Sequence, residues 1–222
     1  MSKIRTKGIP VEDFKNSRGD WVDSFNKTTP THYIQYYTHA GHIWSRILRR
    51  CSEGYWTLKP TYTGCTCSFK DFQDFTEWCH TQTGYLLKDK AGLNWAIDKD
   101  ILLLGNKCYS PDLCTFVPPY VNGLFVNCEK VTTLPLGVNY RERFGKYVSQ
   151  INKNGVRTHL GHFKTASDAH LAWQKEKIIQ IQEVIFEYSQ CSGSREDVIE
   201  ALYGRINILV NDIQNGQETV KL

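Results

Sequence analysis

The dipeptide Asn154-Gly155 constrains this chain more than any other pair of neighbours. It sits between two alternating runs in "GKYVSQINKNGVRTHLGHF", and Asn-Gly tolerates the positive φ angles that a tight two-residue turn demands. The pattern predicts a β-hairpin. Side chains alternate across a strand, so Tyr147, Ser149 and Ile151 share one face with Thr158 and Leu160, while Lys146, Val148, Gln150, Arg157 and His159 share the other. One face is expected to pack and the other to meet a partner. Directly downstream, "TASDAHLAWQKEKIIQIQEVIFEY" opens with Thr165 and Asp168 in capping-box spacing and continues without a breaker. Its small Ala166, Ala169 and Ala172 would let this helix lie close against the hairpin.

Charge is distributed unevenly along the chain. The whole chain carries a net +4, but Gly137 to Ile178 holds eight Lys/Arg against three Asp/Glu, a local excess of +5 (8 − 3), which leaves about −1 for the rest. Cations on the open face of a small sheet are what a phosphate backbone attracts, with counterion release supplying salt-sensitive affinity. An ordinary solvated face is the alternative. Past Tyr188, "SQCSGSRED" reads as a break and "DVIEALYGRINILVNDI" as a last amphipathic helix before a polar tail, either capping the domain or joining two copies.

The first ninety or so residues open with a polar segment expected to be poorly ordered, followed by two amphipathic helices. In "HYIQYYTHAGHIWSRILRRC", Ile43, Trp44, Ile47, Leu48 and Cys51 fall on one face, while Arg46, Arg49 and Arg50 point elsewhere. In "SFKDFQDFTEWCHTQTGY", Phe69, Phe72, Phe75 and Cys79 recur at three- and four-residue intervals after Ser68, a candidate N-cap. The stretch between them, "SEGYWTLKPTYTGCTC", reads as an ordered loop. No Cys-x-x-Cys pair occurs among the eight cysteines, so buried thiols are expected rather than structural zinc. No apolar run approaches the roughly 18 residues of a membrane span, and the start has no signal-peptide core, so no membrane partner is expected.

Candidate chemistry concentrates in "WAIDKDILLLGNKCYSPDLCTF". Asp98 and Asp100 flank a single residue, so on an extended run both would point to the same side and could share a metal ion; equally, they could cap the following turn or pair with Lys99. Asn106 could help hold that metal or serve its own Gly-Asn turn. Cys108, Tyr109 and Cys114 are expected to pack. His39, His42 and His80 are the histidines outside this run that could supply a base, or could be ordinary surface and cap residues.

Two stretches resemble known families. Leu134 to Lys177 is similar to the ethylene-response-factor (apetala-two) DNA-binding domain in its short phage form, through Gly137-Val138, Gly145-Lys146-Tyr147, Asn154-Gly155, His159-Leu160-Gly161 and Phe163. That resemblance implies a three-stranded sheet in the DNA major groove, a helix behind it, and Arg141, Arg143, Lys146, Gln150, Lys153, Arg157 and His159 as DNA-contacting residues. Val148 stands where many relatives have an arginine. Ile43 to Phe125 resembles a phage-type HNH endonuclease family, through Trp44, Arg50-Cys51, Pro60-Thr61-Tyr62, Phe75, Trp78 and "IDKDILLLGNKCYSPDLCTFVP".

The nuclease resemblance implies a ββα module around one magnesium or manganese ion, with Asp98, Lys99 and Asp100 at the catalytic position and Asp98, Asp100 and Asn106 as metal ligands. Where related sequences carry a histidine base this chain has Lys99, and where they carry an Asn before a cysteine it has Leu113. A lysine ammonium is a poor base. The expected organisation is α+β: residues 1–130 an HNH-like domain with helical support, 131–190 a three-stranded antiparallel sheet on one helix, and 191–222 a terminal helix and tail. The expected function is duplex DNA binding in the host bacterial cytoplasm, with metal-dependent nicking if the finger is active. The alternative is a non-catalytic DNA-binding regulator, or an inhibitor of a host protein built on a nuclease shell. Oligomeric state is not encoded legibly.

Overall fold

The computed structural model describes residues 38–222 except 127, 130 and 131 and, before them, only one backbone pairing, strand β1 (Phe14–Lys15) antiparallel to β2 (Trp21–Val22). The expectation about order in the N-terminal segment lies outside the described residues. The chain is a mixture of helix and sheet that forms two compact units. One comprises Met1–Tyr85 and Gly105–Cys114; the other comprises Leu86–Leu104 and Thr115–Leu222. Residues 86–104 and 115–126, expected in the first domain, therefore fall in the second unit, and the 105–114 loop falls in the first.

In the first unit, helix α1 (His39–Arg50) starts at Thr38, whose hydroxyl accepts from the Gly41 N–H. Ile43, Trp44 and Ile47 are buried along one face, but Leu48 is 48% exposed, so the stripe is narrower than its spacing predicts. The loop after it holds a four-residue helix, α2 (Glu53–Trp56), a 3₁₀ turn (Pro60–Tyr62) and strand β3 (Thr66–Cys67). Helix α3 (Phe72–Thr81) is capped by Asp71, whose carboxylate accepts from the Asp74 N–H, and not by Ser68, which lies three residues further out. Phe69, Phe72, Phe75 and Cys79 are all buried, with Phe75 packed against Trp44 and edge-on to Phe69. β3 runs parallel to β5 (Cys108–Tyr109), and Tyr109 is fully buried.

The second unit begins with β4 (Ala96–Asp98), antiparallel to β6 (Thr115–Val117), followed by the four-residue helix α4 (Pro119–Asn122). Its larger part is a three-stranded antiparallel sheet in the order β7 (Val138–Arg141), β8 (Lys146–Lys153), β9 (Val156–Phe163). The β8–β9 turn has φ of 51° at Asn154 and 81° at Gly155, the two positive angles that the dipeptide foretold.

Helix α5 (Ala166–Ser189) covers one side of this sheet. Thr165 caps it, accepting from the Asp168 N–H while donating its own hydroxyl hydrogen to the Asp168 carboxylate at 2.6 Å. Val138, Ser149, Ile151, Ala169 and Trp173 are buried between sheet and helix. Gly137, at φ 75°, has no Cβ because Trp173 occupies its place: a Cβ there would lie 2.0 Å from the ring. Helix α6 (Glu196–Gln214) packs along α5, burying Val198, Leu202, Ile206 and Leu209, each burial contributing on the order of 2 kcal/mol. It thereby caps its own unit. The tail then turns back: Thr219 receives the Gln174 amide and donates its N–H to His170, and Leu222 donates to the Cys128 carbonyl.

Candidate nucleic-acid interface and the carboxylate loop

The sheet has one face under α5 and one face open. Register places Val148 opposite both Asn139 and His162, Gln150 opposite His159, Asn152 opposite Arg157, and Arg141 opposite Lys146. These residues form the open face. Between Ser149 and Gln150 the register slips by one: Ser149 pairs with Gly161, but Gln150 pairs with His159. Leu160 is therefore a bulge, supported by Gly161 at φ 140°. Simple alternation would put His162 on the side opposite Arg157 and His159. The bulge returns it to the open face, where its Nδ1 lies 3.3 Å from Nε2 of His159 and the Phe144 ring meets it edge-on. Sequence reading missed His162, and the Leu160-Gly161 pair was its only trace.

Arg141, Arg143, Lys146, Arg157 and His159 are exposed, and among the described residues none has a carboxylate partner. Arg143 lies in the 3₁₀ turn Glu142–Phe144 between β7 and β8, its guanidinium 5.6 Å from the Phe144 ring centre. Gln150 is half-buried near the centre of the face, and Val148, at 2% exposure, is covered by its neighbours. Arg141 and Lys146 are direct cross-strand partners, an arrangement that repels in the absence of an anion. Lys153 is placed differently. Its ammonium lies 2.6 Å from Glu176 and 3.3 Å from Glu183 of α5, and these two partners raise its pKa. Lys177 is buried and donates to the Leu124 carbonyl and to Gln180. Two cations of the +5 excess therefore face inward or onto the helix.

The carboxylates of the Asp98-Lys99-Asp100 run sit in the second unit, and Asn106 in the first. Asp98 ends β4, and one of its oxygens accepts from the N–H groups of Asp100 (2.8 Å) and Ile101 (2.7 Å), closing the turn that follows. Burial, then the neighbouring Asp100 carboxylate, pushes Asp98 up to about 6. Lys99 is 8% exposed and its Nζ lies 3.0 Å from the Asp100 carboxylate. Arg205 reaches in from α6, 7% exposed, and donates to the carbonyls of Asp100 (3.0 Å) and Ile101 (3.3 Å). Burial lowers the Arg205 pKa, while Asp100 and Asp98 oppose that shift.

Two side-chain cations thus accompany two carboxylates. This donor set does not suit a divalent metal: one Asp98 oxygen is committed to backbone N–H groups, Asp100 to an ammonium, and the positive charge a metal would supply is already present. Among the described residues no three His, Cys, Asp or Glu side chains are grouped to hold a metal ion. Asn106 closes its own turn, its amide donating to the Cys108 carbonyl (2.8 Å) and its oxygen accepting from the Cys108 N–H (3.0 Å). The Lys99 ammonium is engaged by the Asp100 carboxylate. Arg205 had no signal in the sequence as part of this site.

Of the remaining sequence candidates, His42 is exposed on α1. His39 and His80 in the first unit lie 5.5 and 5.2 Å from the Tyr85 ring centre. All eight cysteines are free thiols, four of them buried, and burial followed by the proximity of Cys67, Cys65 and Cys108 pushes Cys51 up to about 12. Among the described residues no helix is long and apolar enough to cross a membrane. Compared with known proteins, the chain matches no protein-family model, no curated protein and no solved structure.

Proposed function

We propose that this protein binds duplex DNA through the open face of the β7–β8–β9 sheet, and that the Asp98-Lys99-Asp100 loop is a structural element without nuclease activity. The observation that carries the first half is the set of exposed cations on that face with no carboxylate partner among the described residues, including the directly opposed Arg141 and Lys146. Such a face is electrostatically unfavourable by itself and is relieved by a polyanion. A major groove about 12 Å wide admits a two-stranded ribbon such as β8–β9, which carries Gln150, His159 and His162 as candidate readers of base edges.

The second half rests on charge balance in the loop, where Lys99 and Arg205 occupy the role a metal would take. The reading accords with the alternative of a non-catalytic DNA-binding regulator built on a nuclease shell. Incubating the chain with supercoiled DNA and magnesium or manganese tests it, beside an Asp98→Ala/Asp100→Ala control. The expected result is DNA retardation with no nicking above the control. Nicking that the double substitution abolishes would falsify the structural role of the loop, and no retardation at low salt would remove the DNA reading.

A further inference from the structure

The first unit carries a cationic surface that the sheet does not account for. Between residues 46 and 62 there are four Lys/Arg (Arg46, Arg49, Arg50, Lys59) and one acid, Glu53. Two of these guanidiniums are held on tyrosine rings: Arg49 lies 4.7 Å from the Tyr55 centroid and Arg50 lies 5.0 Å from that of Tyr62. The rings in turn pack on each other with centroids 5.6 Å apart, giving the order guanidinium, ring, ring, guanidinium. Lys107 joins the same surface by donating to the Thr61 carbonyl at 2.6 Å. Arg46 lies one helical turn before Arg49 and Arg50, on the same side of α1. Among the described residues none of these five cations has a carboxylate partner.

Stacking on tyrosine fixes a guanidinium without consuming many of its five N–H donors. Arg49 spends one on the Tyr55 hydroxyl at 3.5 Å and Arg50 one on the Tyr109 hydroxyl at 3.1 Å, which leaves most of the donors available. A pre-oriented pair of guanidiniums with free donors matches phosphate oxygens, which accept bidentate pairs. The same geometry argues against base stacking as the mode of contact, because each ring already has an arginine on one side and the other ring near it.

We propose that this Arg–Tyr ladder is a second DNA-contact surface, one that grips the phosphate backbone of a duplex without reading its sequence. It shares its ligand with the sheet reading but does not depend on it. The test uses the full chain and a fluorescent 30-base-pair duplex of arbitrary sequence. Affinity is measured from 50 to 300 mM salt for the wild type, an Arg46→Gln/Arg49→Gln/Lys59→Gln variant and an Arg141→Gln/Lys146→Gln/Arg157→Gln variant. The ladder substitutions fall on exposed side chains and spare Arg50 and Lys107, which hold their own unit together.

The ladder variant is expected to bind roughly tenfold more weakly at 150 mM salt, with a salt slope lower by about two to three. A slope and affinity equal to wild type overturn the ladder while leaving the sheet intact. Loss in the ladder variant alone sinks the sheet instead. Displacement of the duplex by polyglutamate at equal charge concentration would mean an acidic-protein surface and overturn the assignment to DNA. Should the variant not fold, amine labelling of the wild-type chain decides: duplex must protect Lys59, and an unchanged labelling rate refutes the proposal.

Discussion

The open sheet and the Asp98-Lys99-Asp100 loop both hold several charges within a few residues, and they use them in opposite ways. In the loop each cation has a close internal acceptor: Lys99 the Asp100 carboxylate, Arg205 the carbonyls of Asp100 and Ile101. On the sheet, Arg141, Arg143, Lys146 and Arg157 have no carboxylate partner among the described residues, and two of them oppose each other across strands. Charge count alone cannot separate these cases. What separates them is whether the folded chain has already satisfied the charge. Satisfied charge contributes to structure, and unsatisfied charge is available to a ligand.

The strongest way to break that contrast is to remove one cation from each region. Arg205→Ala should destabilise the second unit by about 3 kcal/mol, because it strips donors from two carbonyls and leaves Asp98 and Asp100 less compensated. Arg157→Ala should change stability by no more than about 0.5 kcal/mol. Urea midpoints measure both, and equal effects would erase the distinction.

DNA binding should show the reverse order. Arg141→Ala, Lys146→Ala and Arg157→Ala should each lower the salt slope of duplex binding by about one, read by anisotropy across a salt series. Removing Lys146 should also relieve its repulsion with Arg141, leaving the free protein as stable as the wild type or slightly more so. Lys153→Ala should scarcely alter the slope, because that ammonium is already engaged by Glu176 and Glu183. An effect of Lys153→Ala as large as that of Lys146→Ala would show that the ion pairs open on binding.

A pH series sharpens the loop's side of the comparison. The Asp98 carboxyl is raised to about 6, so between about pH 4 and 6 the folded chain holds a proton that the unfolded chain has released. Stability should therefore fall as pH rises through that window, by at most about 1.4 kcal/mol per unit, and level off above it. Asp98→Asn should flatten this segment of the profile. A wild-type curve that instead climbs between pH 4 and 6 would mean that Lys99 and Arg205 stabilise the carboxylate more than burial opposes it. The effect most confined to its own site belongs to the hairpin turn, where Gly155→Ala at φ 81° should cost about 1 kcal/mol and leave the loop's profile unchanged.

Much of the sheet unit was legible because its signals are local. Asn154-Gly155 set the turn, Thr165 and Asp168 set the helix start, and alternation assigned Ile151 to the buried face and Arg157 to the open one. Illegible features depended on distant groups. Whether Lys153 and Lys177 point to solvent is decided by Glu176, Glu183 and the Leu124 carbonyl, and Arg205 lies 105 residues from the carbonyl of Asp100 that it holds. Ser68 and Asp71 are both good cap formers, and the backbone that follows selects Asp71. The two carboxylates were visible, but the charges that would accompany them were not.

The Leu160 bulge has a consequence for how such a protein could diversify. A strand has a two-residue repeat, so an extra residue in β9 would exchange inside for outside in everything beyond it unless a bulge absorbs it, and here the bulge at Leu160 keeps His162 outward. Deleting Leu160 would remove the bulge and still leave Gly161 opposite Ser149 and His162 opposite Val148, so both faces of the sheet would survive the loss. The loss of a single codon at this point would leave the text that the surface presents unaltered. Change in recognition would therefore arise by substitution on the open face rather than by loss of this residue.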